Sequence, residues 1–143
     1  MKATVNWAGK MSFRAAAGSG FSVPLGAEAG VGGDEDGFRP LELMLVSLAG
    51  CTAMDVISIL QKKRQQVIDF SVQADGDRSD EHPRVFTRIR LHYSVRGRGI
   101  DPAAVARAIE LSETKYCPAQ AMLRPGVILE STFDVQEADV SER

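Results

Sequence analysis

The chain has 143 residues, of which 44% are hydrophobic, and its formal net charge at pH 7 is −2. This length suits a single domain, expected over residues 1–143, and the apolar content is sufficient for a buried core. The slightly acidic balance excludes a general electrostatic footprint for nucleic acid, so we expect small-molecule or protein partners.

The N-terminal third has the pattern of a small β-sheet. Residues 3–7 and 11–16 are short, partly alternating segments around a glycine-containing turn, which predicts a β-hairpin, and residues 21–25 predict a third strand. Residues 26–37 are rich in glycine and acid and lack apolar periodicity, so they predict a mobile loop. Because the chain opens like a strand and not like a signal peptide, we expect a cytoplasmic location.

A long apolar helix is predicted from Pro40 to about Lys62. Proline suits the first helical position, and the basic residues from Lys62 onward complement the negative end of the helix dipole. Glu42 and Asp55 are the only charged residues between positions 41 and 60. Apolar residues occupy nearly the whole circumference, which indicates a buried core helix, and the polar interruptions argue against a membrane span.

This helix also predicts a partner subunit. One sheet covers only one side of it, and 143 residues leave little chain to cover the other. We therefore expect a homodimer in which a second copy covers the exposed apolar side.

Three further strands are predicted in the second half of the chain. A polar connector over residues 75–83 separates the first two, and Ile89, Leu91, Tyr93 and Val95 form one apolar face of the second strand together with Val85. A turn is expected at residues 96–100, and a polar, frayed tail from about residue 137. The predicted strands cover residues 67–74, 85–95 and 127–135.

Two helices are predicted between the last two strands. Asp101-Pro102 is typical of a helix start and predicts a helix through about residue 114, and Cys117-Pro118 predicts a second, short helix. The element order is then β-β-β-α-β-β-α-α-β. This order indicates an α+β fold with largely antiparallel pairing around the central helix.

Cys51 and Cys117 are the candidate reactive residues. Two cysteines in a cytosolic chain leave three alternatives: inert core thiols, a metal pair or a redox pair. A thiol within a helix, like Cys51, is most often an inert small hydrophobe, and Asp55 one turn later raises a thiol pKa unless a cation offsets it. Arg14 is the first candidate for that cation, followed by Lys115 and Arg124, which flank Cys117.

Cys117 has the more favourable local context for a reactive thiolate. Pro118 at the first helical position puts Cys117 at the helix cap, where unpaired N–H groups are expected to lower the thiol pKa. A zinc site would need the two cysteines with His82 and His92, whose spacings do not match zinc ligands, so no metal is expected.

Two segments of the sequence carry a resemblance to a known family. PLELMLVSLAGCTAMDV at residues 40–56 and KYCPAQAML at residues 115–123 resemble the OsmC/Ohr family of osmotically inducible and organic hydroperoxide resistance proteins, in its OsmC-like branch. The resemblance implies an OsmC-like α+β fold with antiparallel sheets around a long buried central helix. It also implies an intertwined homodimer with two sites at the subunit interface.

The resemblance also implies a function. Characterised members reduce hydroperoxides, so by resemblance Cys51 is the thiolate that attacks the peroxide and Cys117 is the resolving thiol that forms the disulfide. An external dithiol, such as a lipoyl group, then reduces the disulfide, and no metal or flavin is needed. The hypothesis is a thiol-dependent peroxidase for organic hydroperoxides in oxidative or osmotic stress.

The chain departs from the family pattern at two positions. The hydroperoxide-resistance members have a glutamate directly after the helix-opening proline, where this chain has Leu41, with Glu42 one position later. They also have an arginine in the first turn, where this chain has Lys10, with Arg14 slightly beyond. Glu42 and Arg14 are therefore candidate catalytic residues that need not be equivalent to the family's pair.

The competing interpretation is a protein without catalytic activity. In it, the apolar dimer cleft binds a small hydrophobic ligand, and the cysteines are vestigial or sense the redox state. Turnover of an alkyl hydroperoxide with a dithiol distinguishes the two interpretations.

Overall fold

Residues 1–141, which the computed structural model describes, form six strands and three α-helices and confirm the α+β class. The order of the elements is the one expected. The chain divides into two compact units, Met1–Met44 and a second that begins at Leu45. The elements are β1 (Ala3–Gly9), β2 (Ser12–Ala17), β3 (Ser22–Leu25), α1 (Pro40–Lys62), β4 (Gln66–Arg78), β5 (Phe86–Arg98), α2 (Pro102–Leu111), α3 (Pro118–Leu123) and β6 (Ile128–Glu137).

The first unit contains an antiparallel sheet in the order β1-β2-β3. The segment predicted as a mobile loop is instead anchored to this sheet and includes a 3₁₀ turn at Ala29–Val31. Lys10 forms a 3.0 Å ion pair with Asp34, and the Ser12 hydroxyl donates a 2.6 Å hydrogen bond to Asp36. The acidic residues that suggested a solvent-exposed loop are therefore the groups that attach the segment to the sheet.

Helix α1 begins at Pro40 and ends at Lys62, as predicted. Its fully buried residues recur every fourth position, so they form a single stripe along one side of the helix. The buried residues are Leu48, Thr52, Val56 and Leu60. Met54 on another side is 74% exposed, so a single protomer leaves part of the helix uncovered, as expected, and its cover by a second copy stays a prediction. Within residues 1–141, α1 is the helix long and apolar enough to cross a membrane, a test that core helices of soluble proteins also pass.

The second unit contains a sheet in the order β4-β5-β6. Strands β4 and β5 are antiparallel, like both strand pairs of the first unit, so the expected largely antiparallel pairing is confirmed. The pair β5 and β6 departs from it, because these strands are parallel. The reason is the connection: α2 and α3 lie between these strands and supply the crossover that a parallel pair requires.

Strand β4 includes much of the predicted polar connector. It continues to Arg78, and its Asp75 and Asp77 are paired with Arg90 of β5 at 3.2 and 2.8 Å. Opposite charges on neighbouring strands stabilise an exposed sheet face, so the acids do not end the strand.

Strand β5 has the predicted buried face at Ile89, Leu91, Tyr93 and Val95. Val85 does not belong to that face, because it lies outside the strand and is exposed, and Phe86 is buried in its place. A register irregularity between Asp77 and Arg78 of β4 adds one residue to β5 and shifts the alternation.

The end of the sheet is longer than predicted. Strand β5 runs to Arg98, into the expected turn, and β6 ends at Glu137. Ala138 is buried and its N–H donates a 2.8 Å bond to the carbonyl of Gly97, so the expected fraying does not begin at residue 137. Residues 142 and 143 of the predicted tail lie outside the described residues.

The two helices before β6 are joined by an unusual turn. Asp101 caps α2 by accepting a 2.9 Å bond from the Ala103 N–H, as its sequence context predicts. The α-helix ends at Leu111, earlier than expected, and continues as a π turn over Ser112–Tyr116. The Cys117 N–H closes this turn on the Ser112 carbonyl at 2.9 Å.

Candidate functional site

The two cysteines meet in the second unit. Cys51 lies on α1 and is half-buried, Cys117 precedes α3 and is only 3% exposed, and both are free thiols. The Cys51 thiol is near enough to contribute to the raised pKa of Cys117, so the two thiols, which are distant in sequence, are neighbours within one protomer. A disulfide between them stays a prediction.

Cys117 caps α3, but its acidity is opposite to the expectation from its sequence context. Its Sγ accepts a 3.4 Å hydrogen bond from the Gln120 N–H, which favours the thiolate. Burial acts more strongly in the other direction and raises the pKa of Cys117 to about 11. The prediction of a lowered pKa at this cap is wrong, because removing the thiolate from water outweighs the N–H donors.

The charged residues near the cysteines in sequence have other partners. The Asp55 carboxylate accepts a 2.9 Å hydrogen bond from the Ser112 hydroxyl. Lys115 Nζ lies 5.3 Å from the centre of the Tyr116 ring, a cation–π distance. Arg124 donates hydrogen bonds of 3.2 Å to the Glu113 carbonyl and 3.1 Å to the Gln120 side chain. Arg124 therefore connects the π turn to α3.

Glu42 has a visible structural role at the start of α1. Its carboxylate accepts a 3.0 Å hydrogen bond from the Arg39 N–H, which is one half of a capping box. It lies nine positions before Cys51, which in a straight helix is about 13.5 Å along the axis and about 180° around it. Arg14 is exposed on β2 of the first unit, opposite Asn6 and Pro24. Catalytic roles for Glu42 and Arg14 stay predictions.

A buried hydrogen-bond network beside the cysteines was missed at the level of sequence. Thr52 Oγ1 is 2.8 Å from the Tyr93 hydroxyl, 2.8 Å from the Ser112 hydroxyl and 3.2 Å from Gln120 Nε2. Because Ser112 donates its proton to Asp55, Thr52 must donate to Ser112. Thr52 therefore accepts from both Tyr93 and Gln120, and the direction of every bond is fixed.

The network is fully satisfied. Among the described residues, no buried side-chain nitrogen or oxygen lacks a hydrogen-bond partner. Burial raises the pKa of Tyr93 to about 12, so its phenol stays protonated and acts as a donor. One signal was available in the sequence: Thr52 is the polar member of a buried stripe with four-residue spacing. Nothing local to AQAML marked Gln120 as buried.

A small cleft adjoins this network. Its volume is about 240 Å³, and it lies between α1 and the end of α2 with the π turn. Its lining combines acid, base and hydroxyl groups with two aliphatic side chains. The lining residues are Asp55, Ser58, Ile59, Lys62, Leu111 and Tyr116. Within residues 1–141, no three side chains of histidine, cysteine, aspartate or glutamate gather as a metal-binding group.

Comparison with known proteins places the chain in a family. The model of the OsmC-like proteins matches residues 32–132. Protein YhfA of Escherichia coli K12 is 39% identical over 138 residues, covering 96% of this chain and 100% of YhfA. A hypothetical protein of Aquifex aeolicus VF5 has a crystal structure that is similar with a TM-score of 0.85 at 28% identity, covering 96% of this chain and 97% of that one.

More distant solved structures share the fold. One is an organic hydroperoxide resistance protein OsmC of Legionella pneumophila, with a TM-score of 0.68 at 18% identity, covering 94% of this chain and 96% of that one. With the family model matching most of the chain and YhfA matching nearly all of it, this protein belongs to the OsmC-like protein family.

Proposed function

We propose that the protein is a thiol-dependent peroxidase that reduces organic hydroperoxides, with Cys51 as the attacking thiolate and Cys117 as the resolving thiol. The observation that carries this proposal is the proximity of two free thiols, one half-buried on α1 and one buried at the start of α3. The name of the Legionella pneumophila relative, an organic hydroperoxide resistance protein, supports the choice of oxidant.

The assignment of the two roles follows from burial and acidity. A thiol with a pKa of about 11 and 3% exposure is protonated at neutral pH and shielded from a substrate, so Cys117 is a poor first nucleophile. Cys51 is the more accessible of the two. The burial of Cys117 therefore favours the same assignment as the family resemblance.

The first step oxidises Cys51. Its thiolate sulfur attacks one peroxide oxygen, the O–O bond breaks, and the other oxygen leaves as an alkoxide that takes a proton to become an alcohol. Cys51 becomes a sulfenic acid. The peroxide is reduced by two electrons, and the sulfur is oxidised by two.

The second step uses the proton that burial keeps on Cys117. The Cys117 sulfur attacks the Cys51 sulfur, the S–O bond breaks, and the thiol proton leaves with the hydroxyl group as water. A raised pKa is compatible with this role because the departing hydroxyl needs the proton. A dithiol of the lipoyl class then reduces the disulfide by thiol exchange and becomes a disulfide itself. The proposed cycle uses no resident cofactor.

The proposed assembly is a homodimer. Apolar side chains on α1, including Val46 and Met54, are exposed in one protomer. Gly26 is the only buried residue among residues 1–44, all of which the structure describes, so this unit has almost no core of its own. A second copy would cover these surfaces. In this assembly, we assign Glu42 and Arg14 to activation of Cys51 across the interface, and we place the dimer in the cytoplasm, where thiols are kept reduced.

The test is a peroxidase assay of wild type, Cys51→Ser and Cys117→Ser with cumene hydroperoxide and dihydrolipoamide. We expect catalytic turnover in wild type, no peroxide consumption in Cys51→Ser, and one equivalent consumed by Cys117→Ser before a Cys51 sulfenic acid accumulates. Gln61→Ala, which changes an exposed polar residue near the end of the same helix, is a control for general damage to the helix. First oxidation on Cys117, or no turnover in wild type, would reject the assigned mechanism.

The same thiol pair also suits a redox sensor, which is the second candidate. A sensor forms the same disulfide but is not required to cycle rapidly with a dithiol. Stoichiometric oxidation by peroxide in wild type, without turnover in excess reductant, would favour the sensor over the peroxidase.

A further inference from the structure

Helix α3 is held by a buried glutamine. The helix has six residues, and a helix this short has no independent stability, so tertiary contacts must fix its position. Gln120 is its fully buried side chain, whereas Met122 on the same helix is 76% exposed. A short helix beside the core is more commonly held by an aliphatic residue, and the choice of a polar one needs an explanation.

Gln120 connects the two elements that carry the cysteines. Its Nε2 donates a 3.2 Å hydrogen bond to Thr52, the residue that follows Cys51 on α1. Its backbone N–H donates a 3.4 Å bond to the Cys117 sulfur. Its Oε1 accepts a 3.1 Å bond from Arg124. The thiol pair and the Thr52–Gln120 pair are thus two neighbouring links between α1 and the start of α3.

We propose that Gln120 is a positioning residue for the thiol pair: its hydrogen bond to Thr52 fixes α3 in the orientation that brings Cys117 against Cys51. An aliphatic side chain would fill the same space but would not define how far the helix slides or turns. A fixed position and rotation of α3 are important because a disulfide requires its two Cα atoms to lie within roughly 4.4–6.8 Å and a narrow range of torsion angles.

The acceptor side of this link is also specific. Thr52 already donates its proton to Ser112, so its oxygen is free to accept from Gln120. A carboxylate at position 120 would present no donor to that oxygen. The amide is the side chain that donates to Thr52 and accepts from Arg124 at once.

The test measures how readily the disulfide forms, without peroxide. Wild type and Gln120→Met are equilibrated with mixtures of reduced and oxidised glutathione, where the two protein thiols lose two electrons and two protons to glutathione disulfide. The fraction of Cys51–Cys117 disulfide is measured by mass spectrometry and gives the effective concentration of the pair. Methionine has a similar length but makes neither hydrogen bond, so we expect a fall of about tenfold.

Two further variants separate positioning from general damage. Met122→Ala alters an exposed residue of the same helix and is expected to leave the effective concentration unchanged. Thr52→Val removes the other partner of the same bond, along with the Thr52 bonds to Tyr93 and Ser112, so it should lower the effective concentration at least as much. The double variant with Gln120→Met should fall little further than Thr52→Val, because the Thr52–Gln120 bond is already absent in each single variant. If Gln120→Met does not fold, Arg124→Met, which removes the Oε1 partner of Gln120 together with the Arg124 bond to the Glu113 carbonyl, should still lower the value about threefold.

The outcomes separate this inference from the proposed function, on which its use in catalysis rests. A Gln120→Met or Arg124→Met value within twofold of wild type, or an equal fall in Met122→Ala, overturns the positioning role and leaves the peroxidase intact. If the disulfide depends on Gln120 but the protein does not turn over peroxide, the positioning role is supported and the peroxidase function is rejected. A wild type that never forms the disulfide rejects both.

Discussion

Replacing Thr52 with valine tests the direction of the buried hydrogen bonds. Valine has nearly the same shape, so the change removes one hydroxyl that three buried groups use. The Tyr93 O–H and the Gln120 amide lose their acceptor, whereas Ser112 keeps Asp55. A buried donor without a partner costs about 1–3 kcal/mol, so two cost about 2–6 kcal/mol. The total free energy of unfolding of a domain is about 5–15 kcal/mol, so this loss is a large fraction of the stability.

The matched change on the other side of the same bond is Tyr93→Phe. It removes a donor, but Thr52 still accepts from Gln120 and still donates to Ser112, so no buried group is left without a partner. The expected cost is about 0.5–1.5 kcal/mol, the net worth of one hydrogen bond. Two substitutions that break the same bond should therefore differ severalfold in their effect on the free energy of unfolding.

Urea unfolding measures the difference, at one fixed protein concentration because the proposed subunit association would add to stability by mass action. Unchanged m-values confirm that the same transition is compared. The double variant should cost less than the sum of the two singles, since Tyr93→Phe removes one of the donors that Thr52→Val leaves unpaired. If Thr52→Val costs no more than Tyr93→Phe, the assigned bond directions are wrong.

Three further predictions concern acidity and assembly. Because the pKa of Cys117 is raised from 9.0 to about 11 in the folded chain, the unfolded chain loses its thiol proton first as pH rises, so stability should fall between pH 9 and about pH 11. Cys117→Ala should flatten the pH dependence of the urea midpoint there, and an unchanged slope would contradict the shift. Mixed dimers of Glu42→Gln and Cys51→Ser subunits should regain activity in one site if Glu42 acts across the interface; failure to complement would assign Glu42 to helix capping alone. Sedimentation should give a dimer at micromolar concentration, and a folded monomer would refute the proposed assembly.

Local patterns in the sequence were sufficient for the order of the elements and for the two cysteines. Pro40 and Asp101 mark helix starts through backbone geometry, which depends only on near neighbours. The extension of β4 was missed because Asp75 and Asp77 become strand residues only when Arg90 of the next strand faces them. That pairing is a property of the sheet and has no local signature.

The site shows the same limit. The contact of Cys51 with Cys117 was anticipated from family resemblance, but the acidity of Cys117 was predicted with the wrong sign, because burial is decided by the whole fold. Gln120 looked like an ordinary position in a short helix. Its role exists only because α1 brings Thr52 to the same place.

The π turn at Ser112–Tyr116 sets the number of residues between α2 and Cys117 at the start of α3. It fits five residues where an α-helical turn closes after four, and Ser112 and Cys117 at its two ends are both buried. Deleting one residue there would convert the π turn into a regular α-helical turn. The side chains at the end of this turn would then be rotated by about 100° about the axis of α2. Exposed Thr114 and Lys115 therefore accept changes of residue type but not of number. Insertions and deletions at this turn would be selected against even where no individual side chain is.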